Sequence, residues 1–280
     1  MQTIRELFFA HAGKCSDKWE NCLDICETEL APYRHRTTPV SLLEIGVQDG
    51  GSLEVWQKAL PPGSTITGVD IDPRVAELTF GPGISVLIAD AANTAGLQTL
   101  MRCRSFDIVI DDGSHVSADI VSTFETLFPH LQPGGCYIME DLGCSYWESF
   151  GVGLRHPGAA MEWLKRLIDV VNADHWNKAD PEDIRLRDTY SALIERLTFY
   201  DGVAAVTKRV TAKPRPVRRV VTGREAHHSN HPYVFAGIYA ANPDAYRFGP
   251  AFAAEMQHEL ERHGFTLSAL PPIPVVNEFG

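Results

Sequence analysis

Between residues 40 and 210 the chain alternates short β-branched and apolar runs with longer amphipathic stretches. Five runs have the length of buried strands, at 40–45, 65–69, 84–88, 106–110 and 136–139. The stretches between them are long enough for crossover helices, which predicts parallel strands covered on both faces. Two more runs, 197–200 and 203–207, flank Asp201 and Gly202, and an Asp-Gly pair between strands favours a tight hairpin. We therefore expect an α/β, Rossmann-like fold whose mostly parallel, seven-stranded sheet ends in an antiparallel C-terminal hairpin.

Composition limits the classes of partner. The 280 residues carry a formal charge of −11, whereas binding to nucleic acid or an anionic membrane needs clustered Lys and Arg, so we expect neither partner. No long apolar run and no charged-then-apolar leader is visible, which favours the cytoplasm. The six cysteines form no C-x-x-C pair, so reduced thiols are expected.

Three segments are expected along the chain. Residues 1–39 look helical, residues 40–210 form the core, and residues 211–280 form a C-terminal extension. The extension contains an amphipathic helix over residues 250–263, with Phe252, Met256 and Leu260 on one face and Gly264 as a stop signal. Its histidine cluster, His227, His228 and His231, is more typical of a loop than of a metal site.

The turn after the first predicted strand has the pattern of a cofactor loop. The segment 44–52 contains Gly46 and Gly50, which allow the backbone to approach a ligand closely, and it ends at Ser52. Asp70 ends the second strand, where a carboxylate can accept hydrogen bonds from ribose hydroxyls. A nicotinamide-dependent oxidoreductase would share these features.

Glu44 separates the two possibilities. A pyrophosphate-binding loop disfavours a nearby carboxylate, so an acid two residues before the first glycine suits a positively charged cofactor better. Asp90 ends the third strand and is a candidate acceptor for an adenine amino group. A helix N-cap is an equally good interpretation of Asp90.

Acidic residues also end the fourth and fifth strands. Asp111, Asp112 and His115 follow the fourth strand, and Glu140 and Asp141 follow the fifth. Three carboxylates at one sheet edge need a counter-ion, and oxygen ligands suit Mg²⁺ or a similar divalent cation. We place this metal among Asp112, Glu140 and Asp141. The alternation of a strand does not decide between Asp111 and Asp112 as the ligand.

These motifs resemble class I S-adenosylmethionine (SAM)-dependent methyltransferases. Leu43-Glu-Ile-Gly46, the segment 68–73 and the segment 110–115 carry the general resemblance. The segments 16–19 (Ser-Asp-Lys-Trp), 111–115, 134–141 and 199–201 are similar to the metal-dependent sugar O-methyltransferases of macrolide and aminocoumarin biosynthesis, and in part to the cephalosporin hydroxylase-like group. The resemblance covers about residues 14–210. Cys22 and Cys26 stand where that family usually has tyrosines.

The resemblance implies SAM as cofactor, with Glu44, Gly46, Gly50, Ser52, Asp70, Asp90 and Asp111 in its site. It also implies Mg²⁺ and methylation of a hydroxyl, with Asp112 and His115 as catalytic residues and His115 as the base. Residues 1–39 would form a lid over the cofactor, and a homo-oligomer is expected.

Three kinds of alternative remain open. The expected acceptor is a sugar hydroxyl of a glycosylated natural product or polysaccharide, but a phenol or catechol also suits a metal. Tyr146 and Trp147, after the acidic pair, would stack on a sugar or close the loop as a hydrophobic latch. Outside this reaction class, the chain would be a nicotinamide-dependent oxidoreductase or a non-catalytic scaffold.

Overall fold

Two compact units divide the chain, Met1–Ala212 and Lys213–Gly280. A computed structural model describes residues 1–211, 213, 219–223 and 246–262. His227, His228 and His231 lie outside the described residues.

The first unit is built on a seven-stranded sheet with the order β3-β2-β1-β4-β5-β7-β6. The strands are β1 Ser41–Ile45, β2 Thr65–Asp70, β3 Ile84–Ile88, β4 Phe106–Asp111, β5 Leu131–Met139, β6 Ile194–Phe199 and β7 Ala204–Lys208. The first five strands are parallel, whereas β7 runs antiparallel to both β5 and β6. The predicted α/β fold, with its mostly parallel sheet and antiparallel C-terminal hairpin, is therefore confirmed.

Helices surround this sheet. They are α1 Ile4–Phe9, α2 Glu20–Arg34, α3 Gly51–Ala59, α4 Thr94–Met101, α5 Ser117–Leu127, α6 Ala160–Val171 and α7 Pro181–Tyr190. The N-terminal segment is thus helical only over α1 and α2, and residues 10–19 between them cross the region where the strands end without forming a helix.

The alternation of side chains along each strand creates a core on each face of the sheet. On β1, Leu43 belongs to one core, with Phe124 of α5, and Leu42 belongs to the other, with Trp56 of α3. All four side chains are fully buried. Burial on both faces fixes the strand register, because a slip of one residue would move every side chain to the wrong core.

The register places functional candidates side by side at the carboxyl edge. Ile45 of β1 pairs with Asp111 of β4, and Asp111 pairs with Met139 of β5. The residues that follow, Asp112 and Glu140, therefore leave the sheet from adjacent strands.

In the second unit, β8 Arg219–Val221 pairs in parallel with β9 Tyr246–Phe248, and α8 follows over Pro250–Arg262. Phe252, Met256 and Leu260 of α8 are buried, as the helical spacing predicts. Within the described ranges of the chain, no helix is long and apolar enough to span a membrane.

Candidate active site

The loop after β1 has two glycines with a left-handed backbone. Gly46 has a positive φ of 87°, and a Cβ there would lie 2.0 Å from the carbonyl oxygen of Asp112. Gly50 has a φ of 84° and forms the N-cap of α3. Only glycine meets both requirements at position 46, which brings the loop against the backbone that follows β4, and the predicted close approach to a bound cofactor stays a prediction.

Asp70 at the end of β2 holds the same loop through hydrogen bonds. Its Oδ2 accepts hydrogen bonds from the amides of Val47 and Gln48 at 2.7 and 3.0 Å. Its Oδ1 accepts from the amide of Asp72 at 2.9 Å. A carboxylate with three amide donors is firmly oriented.

A cavity of about 200 Å³, here called the glycine-loop cavity, opens beside this loop. It is lined by Gly46, Gln48, Asp70, Asp90, Asp111 and Asp112, among others. Asp90 does not cap a helix, because its Oδ1 accepts from the amide of Ala92 and Asn93 caps α4 instead. The N-cap interpretation of Asp90 is therefore wrong, and its predicted cofactor contact stays a prediction.

Glu44 and Ser52 lie behind the loop and do not line this cavity. Glu44 is fully buried, and its Oε2 accepts from Ser52 Oγ at 2.8 Å and from Trp56 Nε1 at 3.2 Å. Burial raises the pKa of Glu44, and Lys18 opposes that rise. The positive charge that faces Glu44 in the structure is thus Lys18, at 3.4 Å from Oε1.

Lys18 is the residue that the sequence analysis did not single out. Its ammonium reaches Asp112 at 2.7 Å and Glu140 at 3.0 Å, and its side chain is only 2% exposed. Burial alone would lower the pKa of Lys18, but Glu140, Glu44 and Asp112 raise it well above its ordinary value. A charged lysine therefore balances part of the acidic cluster. The sequence contained one signal for this contact. The motif 16–19 includes a lysine, and three acids were predicted at one sheet edge.

A second cavity, the carboxylate cavity, has a volume of about 270 Å³. Its walls are Asp17, Lys18, Trp19, Gln48, Asp112, His115, Glu140 and Asp141. Asp112, His115 and Asp141 each present one ligand atom within 4.8 Å of the others. His115 Nε2 lies 3.4 Å from Asp141 Oδ2.

Glu140 lies beside these three residues, with one oxygen bound and one free. Oε2 accepts from Lys18, whereas Oε1 is buried and has no hydrogen-bond partner among the described residues. Burial raises the pKa of Glu140 to about 7, although Lys18 lowers it. A buried carboxylate oxygen without a partner calls for an explanation, and in a residue that lines a cavity it fits binding of a cation.

The side chains of Asp111 and Asp112 have different surroundings at the end of β4. Asp111 is buried, and its Oδ2 accepts from Tyr137 Oη at 3.0 Å. Burial raises the pKa of Asp111 to about 7. Asp112 instead lines the carboxylate cavity and belongs to the group with His115 and Asp141 that could hold a metal ion, so Asp112 is the candidate ligand of the pair.

The backbone of the carboxylate cavity is strained. Five non-glycine residues of the described chain have positive φ, and three of them, Gln48, His115 and Asp141, line this one cavity. A left-handed backbone costs about 1–2 kcal/mol per residue and persists only where the surroundings impose it. The strain is concentrated where chemistry was predicted.

The parallel strands in the order β3-β2-β1-β4-β5, the antiparallel pair β7 and β6, and the loop and acids at one edge define a class I, Rossmann-like methyltransferase fold. Residues 43–142 match the family model described as a methyltransferase domain. The matched segment spans 100 of the 280 residues and includes the glycine loop and the acids at the ends of β4 and β5.

Two of the relatives that match the chain are O-methyltransferases by name. The chain is 35% identical over 207 residues to the 8-demethyl-8-alpha-L-rhamnosyl tetracenomycin-C 2'-O-methyltransferase of Streptomyces olivaceus. This alignment covers 70% of this chain and 53% of that protein. It is 39% identical over 151 residues to the mycinamicin VI 2''-O-methyltransferase of Micromonospora griseorubida, covering 49% of this chain and 36% of that protein. The chain thus spans about half or less of the length of these relatives.

A solved structure shares the fold. The MycE methyltransferase of the mycinamycin biosynthetic pathway, in complex with Mg and SAH, has a TM-score of 0.63 and 30% identity. The match covers 78% of this chain and 58% of that protein.

Proposed function

We propose that the chain is a SAM-dependent and divalent-metal-dependent O-methyltransferase that methylates a sugar hydroxyl of a glycosylated natural product. The observation that carries this proposal is the carboxylate cavity, where Asp112, His115 and Asp141 converge beside the orphaned Oε1 of Glu140. One relative is named as the 2'-O-methyltransferase of a rhamnosyl tetracenomycin and another as that of the 2'' position of mycinamicin VI, and the MycE complex contains Mg and SAH. Both facts support the same reaction.

SAM would occupy the glycine-loop cavity. Asp70 accepts from the loop amides and lines this cavity, which supports the proposal that it also accepts hydrogen bonds from the ribose hydroxyls. Asp90 and Asp111 line the same cavity, whereas Glu44 and Ser52 would act on the cofactor only through the loop that they support.

We propose that Asp112, Glu140 and Asp141 would hold the divalent cation, because each keeps an oxygen that Lys18 and Trp19 do not take. The group whose ligand atoms lie within 4.8 Å of one another contains Asp112, His115 and Asp141, and Glu140 lies beside it. Lys18 takes Asp112 Oδ2 and Glu140 Oε2, and Trp19 Nε1 donates to Asp141 Oδ1 at 2.6 Å. Carboxylate oxygens are the ligands that Mg²⁺ prefers. A bound divalent cation supplies positive charge that lowers the pKa of an acceptor hydroxyl and orients it.

His115 would receive the proton of the acceptor hydroxyl. Its imidazole is partly exposed to the carboxylate cavity, and Asp141 at 3.4 Å can stabilise the protonated ring. When bound, SAM would supply an activated methyl group on its sulfonium. Transfer of the hydroxyl proton to the imidazole of His115 would leave the acceptor oxygen free to form the new C–O bond as the C–S bond breaks, with SAH as the leaving group.

We also propose that residues 1–39 act as a lid, that residues 40–210 form the SAM-binding catalytic core, and that residues 211–280 are a C-terminal extension with an amphipathic helix. The protein would work in the cytoplasm as a homo-oligomer, without nucleic acid or membrane partners. A single elution volume at the monomer mass across micromolar concentrations would contradict the homo-oligomer.

Two titrations test the proposal. The first measures SAH binding by calorimetry for wild type and Asp70→Asn, with Asp72→Asn as control because Asp72 accepts mainly from Arg74 outside the cavity. Weakening of about tenfold or more is expected for Asp70→Asn, since one charge-assisted hydrogen bond contributes about 1.5–3 kcal/mol.

The second titration follows Mn²⁺ binding by electron paramagnetic resonance in wild type and Asp112→Asn. Asp49, which is exposed in the neighbouring loop, provides the control variant Asp49→Asn. Loss of Mn²⁺ affinity in Asp112→Asn alone would support the site. Absence of SAH binding in the wild type would refute the methyltransferase proposal.

A further inference from the structure

Carboxylates surround the ammonium of Lys18 in the way that ligands surround a metal ion. Its Nζ lies 2.7 Å from Asp112 Oδ2, 3.0 Å from Glu140 Oε2 and 3.4 Å from Glu44 Oε1. The side chain of Lys18 is 2% exposed, and those of Glu44 and Glu140 are 0% and 3% exposed. Acidic oxygens from the three neighbouring strands β1, β4 and β5 therefore enclose one monovalent cation.

Asp112 and Glu140 divide their oxygens between two positions. Each gives one oxygen to Lys18, and the other oxygen of Glu140 is buried without a hydrogen-bond partner among the described residues. Asp112 also belongs to the group with His115 and Asp141 whose ligand atoms lie within 4.8 Å of one another. Two-metal sites hold their ions about 3.5–4 Å apart, a spacing that the two oxygens of a carboxylate can bridge. Lys18 Nζ thus stands where the second ion of such a pair would lie.

Glu44 belongs to the Lys18 position and not to the proposed cation position. Its Oε2 accepts from Ser52 Oγ at 2.8 Å and from Trp56 Nε1 at 3.2 Å. Its Oε1 is buried, has no hydrogen-bond partner among the described residues and lies 3.4 Å from Lys18 Nζ. Glu44 does not line the carboxylate cavity. Because a buried carboxylate needs a cation or a hydrogen-bond donor, the position that Lys18 fills is itself a cation position.

The formal charges favour one divalent cation while Lys18 is present. The cluster has four negative charges when it is ionised, those of Glu44, Asp112, Glu140 and Asp141. Lys18 and one divalent cation together supply three positive charges. A second divalent cation would have to displace the ammonium or lie against it, and like charges in a buried site repel strongly. Lys18 therefore opposes a second ion both by its charge and by the space that it fills.

The chain on either side of Lys18 holds the ammonium in this position. Before it, the amide of Gly51 donates to the carbonyl oxygen of Cys15 at 3.0 Å, and a Cβ at Gly51 would lie 2.4 Å from that oxygen. After it, Trp19 Nε1 donates to Asp141 Oδ1 at 2.6 Å. Withdrawal of the Lys18 side chain would leave buried carboxylates unpaired, so the lysine stays in place when a cation binds beside it.

We propose that Lys18 fills a second cation position and keeps the metal centre mononuclear, so that removal of its side chain creates a centre for two divalent cations. This inference rests on the proposed function, because the first cation is the one assigned to Asp112, Glu140 and Asp141. The N–O distances around Lys18 exceed the Mg–O distance of about 2.0–2.1 Å, which leaves room for a divalent cation once the lysine is gone. Lys18 is thus a positioning residue, which leaves one oxygen of Asp112 and one of Glu140 for the single cation.

The test counts the Mn²⁺ ions that bind to each full-length chain, by titration followed with electron paramagnetic resonance. The variants are Lys18→Ala and the matched control Lys14→Ala. Lys14 lies in the same N-terminal segment, but it pairs with Glu54 at 3.1 Å and does not line the carboxylate cavity. Lys14→Ala therefore removes the same side chain without changing the charge of the acidic cluster.

We expect one Mn²⁺ per chain for wild type and Lys14→Ala, and two for Lys18→Ala. The frozen spectrum of Lys18→Ala should show magnetic coupling between its two ions, which an isolated Mn²⁺ lacks. Addition of Glu44→Gln to Lys18→Ala removes the carboxylate that belongs to the second position alone. The number of bound ions should then return to one.

Two Mn²⁺ ions per wild-type chain would overturn the inference, and so would a single ion in Lys18→Ala. Thermal unfolding in saturating Mn²⁺ covers the case in which Lys18→Ala does not fold in EDTA. Failure of this variant to fold with Mn²⁺ present would also overturn the inference, because two divalent cations would balance the four carboxylates. A wild type that binds no Mn²⁺ would instead contradict the proposed metal site, and SAH calorimetry would still test the cofactor site.

Discussion

Replacement of Lys18 by methionine would remove the positive charge that the described structure places among Glu44, Asp112 and Glu140. Lys18→Met retains an unbranched apolar stem, so the substitution changes charge more than volume. Glu44 and Glu140 are 0% and 3% exposed and would be left facing each other without the ammonium. The variant therefore isolates the electrostatic contribution of Lys18.

The expected loss is large because the ion pairs are buried. Removal of one partner from a buried ion pair costs about 3–5 kcal/mol, since the remaining charge is desolvated and unpaired. For a domain of this size, each kcal/mol lowers the Tm by about 2–4 °C, so a decrease of roughly 10 °C is expected in the presence of EDTA.

Divalent cations should restore part of this loss. A ligand at 100 times its Kd stabilises a folded protein by about 2.7 kcal/mol, and the gain grows when the ligand also relieves repulsion in the unliganded state. Thermal unfolding in EDTA and in saturating Mg²⁺ should therefore show a larger Mg²⁺-induced rise in Tm for Lys18→Met than for wild type.

Lys14→Met is the matched control. Lys14 forms a comparable contact with Glu54 at 3.1 Å, but the two side chains are 26% and 22% exposed, and such pairs typically contribute about 1 kcal/mol or less. If Lys18→Met were no less stable than Lys14→Met in EDTA, or if Mg²⁺ raised both Tm values equally, the role of Lys18 as an internal counter-ion would be wrong.

Three further predictions concern the base, the glycine loop and a buried hydrogen bond. His115→Asn removes the base, and asparagine tolerates the left-handed backbone at φ 57°. We expect kcat to fall about 10²- to 10⁴-fold, while calorimetry shows unchanged SAH affinity. An unchanged kcat would exclude His115 as the base. Gly46→Ala combines a positive φ with a 2.0 Å clash and should lower the free energy of unfolding by roughly 4 kcal/mol in denaturant titrations. Gly151→Ala has a positive φ but no clash, so we expect a loss of about 1–2 kcal/mol. Equal losses would contradict the close contact at Gly46. Tyr200→Phe removes the 2.6 Å hydrogen bond to the buried Glu29 carboxylate. The free energy of unfolding at neutral pH should fall by about 1–3 kcal/mol. A change below the error of denaturant unfolding would contradict a role of this hydrogen bond in stability.

The fold was predictable from the sequence because buried parallel strands are local apolar runs. The third strand was predicted with its observed bounds, whereas the fifth begins at Leu131 and not at residue 136. Residues 131–135 include Pro133 and two glycines, which disfavour a strand locally, but pairing of Leu131 with Phe106 overrides that preference.

The candidate site was predictable where it depends on strand ends, and not where it depends on distant contacts. Asp70, Asp112 and Glu140 follow strands, so the sheet brings them to one edge. Lys18 meets Asp112 and Glu140 across 94 and 122 residues of sequence, and a pattern along the chain carries no information about such a contact. The acidic cluster predicted a counter-charge but could not show that a lysine supplies part of it.

The glycine-loop cavity and the carboxylate cavity share the lining residues Gln48 and Asp112. The proposed cofactor and the proposed cation would therefore contact a common wall. Any change that one of them makes in the affinity for the other is reciprocal, so SAH would alter the affinity for Mg²⁺ by the same factor as Mg²⁺ alters the affinity for SAH.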